Sequence, residues 1–251
     1  MLERKIFERY GGKDMYSEKI GIIGGFGAYA GLDFYKKLLE CFSTGNERDY
    51  PHVIMDNNFT MPSRTRALLY DECVDEIVKD IADSVRLMLS NEVNKIVLVC
   101  GTAHYFLEQV YELLPEAREH IVDIIDCLGE RLQKEGITEC FVIAAEGALK
   151  KELYKKRLKE YGVKCIVPEE DEYGQIRCFI EAVKRHSLEE DTVAQFLSFL
   201  KKYDCHHIVL GCTEFPVLVD YIKNIRKKEL EPYFFYDPLE EVIINLKRDL
   251  R

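Results

Sequence analysis

Two cysteines, 112 residues apart, each close a short apolar run. Ile96-Val97-Leu98-Val99-Cys100 and Ile208-Val209-Leu210-Gly211-Cys212 agree at four of five positions. A thiol is a proton donor in one state and a strong base or nucleophile in the other. Beside His104, Cys100 offers the kind of Cys-His pair used in nucleophilic catalysis, but that leaves Cys212 without a role. Cys100-x3-His104 and Cys205-His206-His207 also offer soft ligands, although neither has a zinc spacing. Two thiols in matched places can do something one cannot. Inverting a stereocentre by proton exchange needs a base on one face of the substrate and an acid on the other. After each turnover the two groups have exchanged protonation states, so the same site runs in both directions. A free cysteine, with a pKa of about 8.5, needs only a small shift to work near neutrality.

Both runs are β-branched and apolar without alternation, the pattern of a strand buried on both faces of a parallel sheet. Ligands of open α/β sheets bind outside the carboxyl ends of the strands, so both thiols are expected in a cleft, near helix N-termini that favour an anion. From Lys19 the chain alternates strand and helix. Ile20–Ile23 and His52–Met55 read as strands, 29–42 and 71–91 as helices, and 104–114 as a helix ahead of Pro115. The second half repeats the scheme with strands at Phe141–Ala144 and Val163–Val167, a helix at 149–161, and helices near 172–186 and 189–203. The expected fold is therefore α/β, with two lobes related by a pseudo-twofold, mostly parallel sheets, and the active site in the cleft between them. Residues 1–18 read as an N-terminal extension, 19–117 with 230–251 as the first lobe, and 118–229 as the second. In that reading Tyr233–Tyr236 and a closing helix return to complete the first lobe.

The Gly25-Phe26-Gly27-Ala28-Tyr29-Ala30 stretch follows a strand and opens a helix, in the manner of a dinucleotide fingerprint. The acidic residue expected about 20 positions further on is missing, however. The glycines, Gly27 in particular, are better suited to letting backbone N–H groups approach an anionic group of the substrate.

The composition bounds the class. With 251 residues, 47% hydrophobic and 32% charged, the chain can bury a full core. A net charge of −10 and the lack of a basic stripe argue against nucleic acid or an anionic membrane as partner. The nine cysteines are odd in number, and Cys41, Cys127, Cys140 and Cys178 sit in apolar or helical patterns. Reduced thiols of a cytoplasmic protein are expected, not a disulfide framework. Met1 to Tyr10 is too charged for a secretory leader, and Ile20 to Leu32 is too short to span a membrane.

Over Lys19 to Leu246 the chain resembles the aspartate/glutamate racemase superfamily, and within it the aspartate racemase branch. The resemblance is carried by Ile22-Ile23-Gly24-Gly25-Phe26-Gly27, Met61-Pro62-Ser63-Arg64-Thr65, Cys100-Gly101-Thr102-Ala103-His104, Glu146-Gly147, Gly211-Cys212-Thr213-Glu214 and Asp237-Pro238. It implies that Cys100 and Cys212 are the acid–base pair and that neither pyridoxal phosphate nor a metal is used. A small amino acid, most simply a dicarboxylic one, is the implied partner, in a homodimer. Arg64 and Lys184 are the implied anchors of the substrate's side-chain carboxylate, as that group demands a guanidinium or comparable cation. Gly27, Gly101, Thr102, Thr213 and Glu214 are the further expected substrate contacts. The chain departs from the family pattern at four places. Gly101 replaces an Asn, Ser63 an Asp, Ala145 and Ala148 threonines, and Phe26-Gly27-Ala28 a Met-Gly-Pro. Each change alters pocket shape or removes a polar contact while sparing both thiols.

Overall fold

A computed structural model of the chain describes residues 18–250. The expected extension over residues 1–18 lies outside the described residues but for Glu18.

The first lobe runs β1 (Lys19–Gly24), α1 (Ala28–Phe42), β2 (His52–Asn57), α2 (Arg64–Tyr70), α3 (Val74–Ser90) and β3 (Lys95–Leu98). A 3-10 turn, Gly101–Phe106, then leads into α4 (Leu107–Leu113), followed by α5 (Ala117–His120) and α6 (Ile124–Lys134). The second lobe runs β4 (Glu139–Ile143), α7 (Glu146–Lys150), α8 (Leu153–Glu160), β5 (Lys164–Ile166), α9 (Tyr173–Lys184) and α10 (Glu190–Leu200). It continues with β6 (His207–Leu210), α11 (Glu214–Arg226), β7 (Phe234–Tyr236) and α12 (Pro238–Asp249).

Two all-parallel sheets result, ordered β2-β1-β3 and β5-β4-β6-β7. In each, the lobe's first strand is central and the cysteine strand lies beside it. β7 pairs with β6, in register Ile208 with Phe235. The strand within 230–251 therefore completes the second sheet, not the first as the sequence suggested. A three-residue strand carries no pattern that says which edge it joins. The first lobe has its own counterpart, where Ile121 bridges Ile96 in parallel and Val122 N–H donates to the Ile96 carbonyl at 2.8 Å.

The helices that leave these two edges also begin alike. Asp123 caps α6 by accepting from the N–H groups of Ile125 and Asp126, and Asp237 caps α12 by accepting from Leu239 N–H. These two helices pack against each other, α6 also against α8 of the second lobe, and α12 against α1 of the first. Their apolar stripes fuse the lobes. One continuous core joins Ile20, Ile22, Phe34 and Leu38 of the first lobe to Phe141, Ile143, Val209 and Leu218 of the second, through Leu128 and Val242. The other face of β1 and β3, at Ile23, Ile96 and Leu98, packs on the Ile77, Ile81, Val85 and Met88 stripe of α3.

Three helical features differ from the sequence reading. α2 falls between the expected strand at 52–55 and the expected helix at 71–91, where no element was read, and its N-terminus is capped by Ser63. α6 has no counterpart in the sequence reading, although Ile124, Ile125, Leu128 and Leu132 give it an apolar face. The expected helix over 149–161 is broken at Glu152, whose φ is 56°.

Where the lobes meet, Lys37 of α1 reaches Asp33 at 3.0 Å, Asp237 at 3.4 Å and Asp220 at 3.8 Å. Burial lowers the Lys37 pKa, but the three carboxylates outweigh it and leave the ammonium firmly charged. Burial pushes the Asp237 carboxyl up to about 6 despite Lys37. A raised carboxyl favours the folded state below its unfolded pKa, and that contribution is lost as pH rises through the folded one. Asp237→Asn keeps the cap. Its stability relative to wild type should rise by about 2 kcal/mol between pH 4 and 7, from the shift out of 3.8, in urea titrations at each pH. Lys37→Met, which strands Asp237, should cost roughly 3–5 kcal/mol at pH 7.

Candidate active site

A cavity of about 290 Å³ lies between the lobes, near the lower size limit of small-molecule sites. Cys100 follows β3, Cys212 follows β6, and both border this one cavity. Each half of the chain thus contributes one sulfur. Each cysteine strand runs parallel to its neighbour in its own sheet, and both carboxyl ends meet at this cavity. The cleft is closed at the side by α2 of the first lobe packing on α7 of the second. Gly147 permits that approach, since a β-carbon there would come within 3.0 Å of Leu68 Cβ and 3.2 Å of Thr65 Cα.

The two thiols have different surroundings. Cys212 Sγ donates to Glu214 Oε2 at 2.9 Å, and Thr213 Oγ1 donates to the same oxygen at 3.2 Å. Glu214 opens α11 and is buried. Burial first, and then the Glu214 carboxylate, hold the Cys212 pKa well above its ordinary value. Cys212 is therefore a thiol in the resting chain. Cys100 occupies the N-cap of the 3-10 turn, and its carbonyl accepts from Ala103 N–H at 3.2 Å. His104 does not reach for the sulfur. Its Nδ1 lies 2.9 Å from the Cys100 carbonyl oxygen and its Nε2 accepts from Ile124 N–H at 3.4 Å. Those bonds specify a neutral ring protonated on Nδ1, which braces the loop. The nucleophilic Cys-His reading of this pair loses its geometry. Among the described residues no group of three or more His, Cys, Asp or Glu is arranged to hold a metal.

Of the expected substrate contacts, Arg64, Lys184, Gly101, Thr102, Thr213 and Glu214 line the cavity with the cysteines. Gly27 does not. It backs onto Glu214, where a β-carbon would stand 3.0 Å from Oε1, so its room serves the protein's own carboxylate. Arg64 begins α2 and is turned onto its own surroundings. Its terminal nitrogens donate to the carbonyls of Pro62 at 2.8 Å, Phe26 at 2.9 Å and Met61 at 3.3 Å. Its guanidinium stacks 4.9 Å from the Phe26 ring centroid. Lys184, at the end of α9, stays half-exposed with Glu181 3.7 Å away. Gly101 has no space for a side chain: a β-carbon would overlap the Tyr154 hydroxyl oxygen and come 2.9 Å from the Gly211 carbonyl.

Sequence reasoning missed several lining residues. Leu69 and Tyr70 come with α2, and Ile180 with α9. Arg177 pairs across to Glu146 at the cavity wall. The apolar face of α9 was visible in the sequence, but nothing local shows that its next turn meets Glu146.

The racemase fold is shared with an aspartate racemase from Picrophilus torridus, at a TM-score of 0.76 and 21% identity over 93% of this chain and 94% of that one. An aspartate racemase homologue from Pyrococcus horikoshii OT3 gives 0.70 and 22%, over 93% and 99%. The profile of the Asp/Glu/Hydantoin racemase family matches residues 23–229, and the chain belongs to that family. A broad-specificity amino-acid racemase of Bacillus subtilis, RacX, is 25% identical over 214 residues, 82% of this chain and 89% of its own. The protein is thus an isomerase, of the amino-acid racemases that work without pyridoxal phosphate.

The Cys212–Glu214 bond is open to a direct test. Glu214→Gln removes the charge that opposes thiolate formation. The pH profile for iodoacetamide alkylation of Cys212, read by peptide mass spectrometry, should move to lower pH. Cys73, exposed and outside the cavity, should keep its profile.

Proposed function

We propose that the protein interconverts the L and D forms of aspartate, glutamate or a related amino acid by a two-base mechanism using Cys100 and Cys212. The observation that carries this reading is that the two equivalent strand ends each bring a thiol to one cavity. In the resting form Cys212 holds a proton against Glu214. Cys100, as its thiolate, then takes the α-proton of one enantiomer and becomes a thiol, while the Cys212 thiol delivers its own proton to the opposite face and becomes the thiolate. Glu214, left beside a new thiolate, favours its prompt reprotonation, which resets the pair or readies the reverse reaction. The backbone N–H groups around Gly101 and Thr213 are suited to the α-carboxylate, whose charge grows as the α-carbon becomes a carbanion.

Lys184 is the cation best placed to meet a side-chain carboxylate, since Glu181 holds it only loosely. Arg64 serves the same end by releasing a loop carbonyl on binding. The relative RacX acts broadly, which supports a substrate range wider than aspartate. Nine free cysteines suit a reducing compartment, and the proposed setting is a cytoplasmic homodimer. Among the described residues no helix is long and apolar enough to cross a membrane.

The test is wash-in of deuterium at the α-carbon of D- and L-amino acids in heavy water. Wild type should label both enantiomers of its substrate. Cys100→Ala and Cys212→Ala should each lower racemisation by about 10²–10⁴-fold, the usual weight of a general acid or base. Wild-type rates in both variants would overturn the mechanism. Lys184→Met should raise KM for aspartate more than it lowers kcat.

A further inference from the structure

The space between the two cysteine loops is occupied by one side chain that no part of the proton-transfer scheme uses. Tyr154, on the first turn of α8, is almost wholly buried. Its hydroxyl donates to the carbonyl of Gly211, the residue before Cys212, at 2.9 Å. The same oxygen sits where a Gly101 side chain would be, directly after Cys100. A β-carbon at Gly211 would come 2.9 Å from the Tyr154 ring and 2.9 Å from Ala144 Cβ. Two glycines from two lobes are thus packed against one phenol. A phenol is rigid and has only two side-chain torsions, and this one is held by packing along its length. Burial keeps its pKa well above the ordinary tyrosine value, so it remains a hydrogen-bond donor across the working pH range.

We infer that Tyr154 is a positioning residue that sets the separation of the two thiol-bearing loops, with Gly101 and Gly211 as the glycines cut to fit it. It stands behind the loops, outside the cavity lining. It acts through the Gly211 carbonyl on Cys212 and by contact with Gly101 on Cys100. The inference rests on the two-thiol reading for its effect on catalysis, but the geometry itself can be tested without it.

The experiment is a double-mutant cycle on the full chain: wild type, Gly101→Ala, Tyr154→Phe and the double variant. Melting temperature reports folding. Iodoacetamide alkylation rates of Cys100 and Cys212, with Cys73 as an internal reference, report loop geometry whatever the substrate. Deuterium wash-in on a pool of L-amino acids reports catalysis. Gly101→Ala forces the phenol and both loops apart and should lower kcat by about 10²-fold with little change in KM, the effect of misplacing reacting groups by an ångström. Tyr154→Phe, which leaves a buried carbonyl without its donor, should lower kcat about tenfold. Removing the hydroxyl oxygen also removes the nearest atom that the methyl added by Gly101→Ala meets, leaving the Gly211 carbonyl at 2.9 Å. The double variant should therefore recover part of the Gly101→Ala loss, well above the product of the two single effects, and the alkylation rates of both cysteines should move back toward wild type with it. Additive losses in the double variant, or Gly101→Ala with unaltered alkylation at both cysteines, would overturn the positioning role. If instead the alkylation cycle behaves as expected while Cys100→Ala and Cys212→Ala still racemise, the spacer stands and the two-base mechanism falls.

Discussion

Neither sheet can bury both of its faces alone, and the rest of the structure depends on that. A parallel sheet needs cover on both sides. In the first lobe α3 covers one face of β1 and β3, and the other face has only the second lobe and the shared helices to turn to. The lobes are therefore welded through α1, α6 and α12, and the relative placement of β3 and β6 is fixed by close packing. Dense cores resist small displacements. The two cysteine loops are thereby held at the two sides of one small cavity.

Within that frame the two thiols are not interchangeable. Sequence symmetry equates them, but Cys212 is bonded to a buried carboxylate and Cys100 is anchored through its backbone by His104. The two sulfurs thus differ at rest, and Cys212 of the second lobe is the one whose proton is held against a carboxylate. Glu214 does this at low conformational cost, because it sits in the first turn of α11, where the helix dipole tolerates a negative charge.

Much of this was legible in the chain. The apolar runs at 96–99 and 208–211 mark buried strands because few other structures tolerate such runs, and the matched cysteines mark their ends. The α/β repeat and the racemase family follow from them. What escaped is what depends on partners far away in sequence. α2 is seven residues long and is stabilised by α7, which no local pattern announces. β7 is three residues long, and its parallel pairing with β6 is not written in so short a pattern. Gly27 looked like a substrate cradle because a glycine turn before a helix is one in many folds. Here the neighbour that needs the room is Glu214, 187 residues later in the chain. Arg64 was legible as a cation near the site, while its engagement with three loop carbonyls was not.

The crossed arrangement of α6 and α12 has a consequence for how the molecule is built. Each follows the edge strand of one lobe and then leaves to pack on the other, so each half is finished by a helix from its twin. That is the topology of a swapped dimer with its two copies joined head to tail. A half-length chain would lack a wall of its own hydrophobic interior and would have to find a second copy to supply it. One sulfur from each half at the cavity and one helix from each half in the core are then the same obligation, met at two levels.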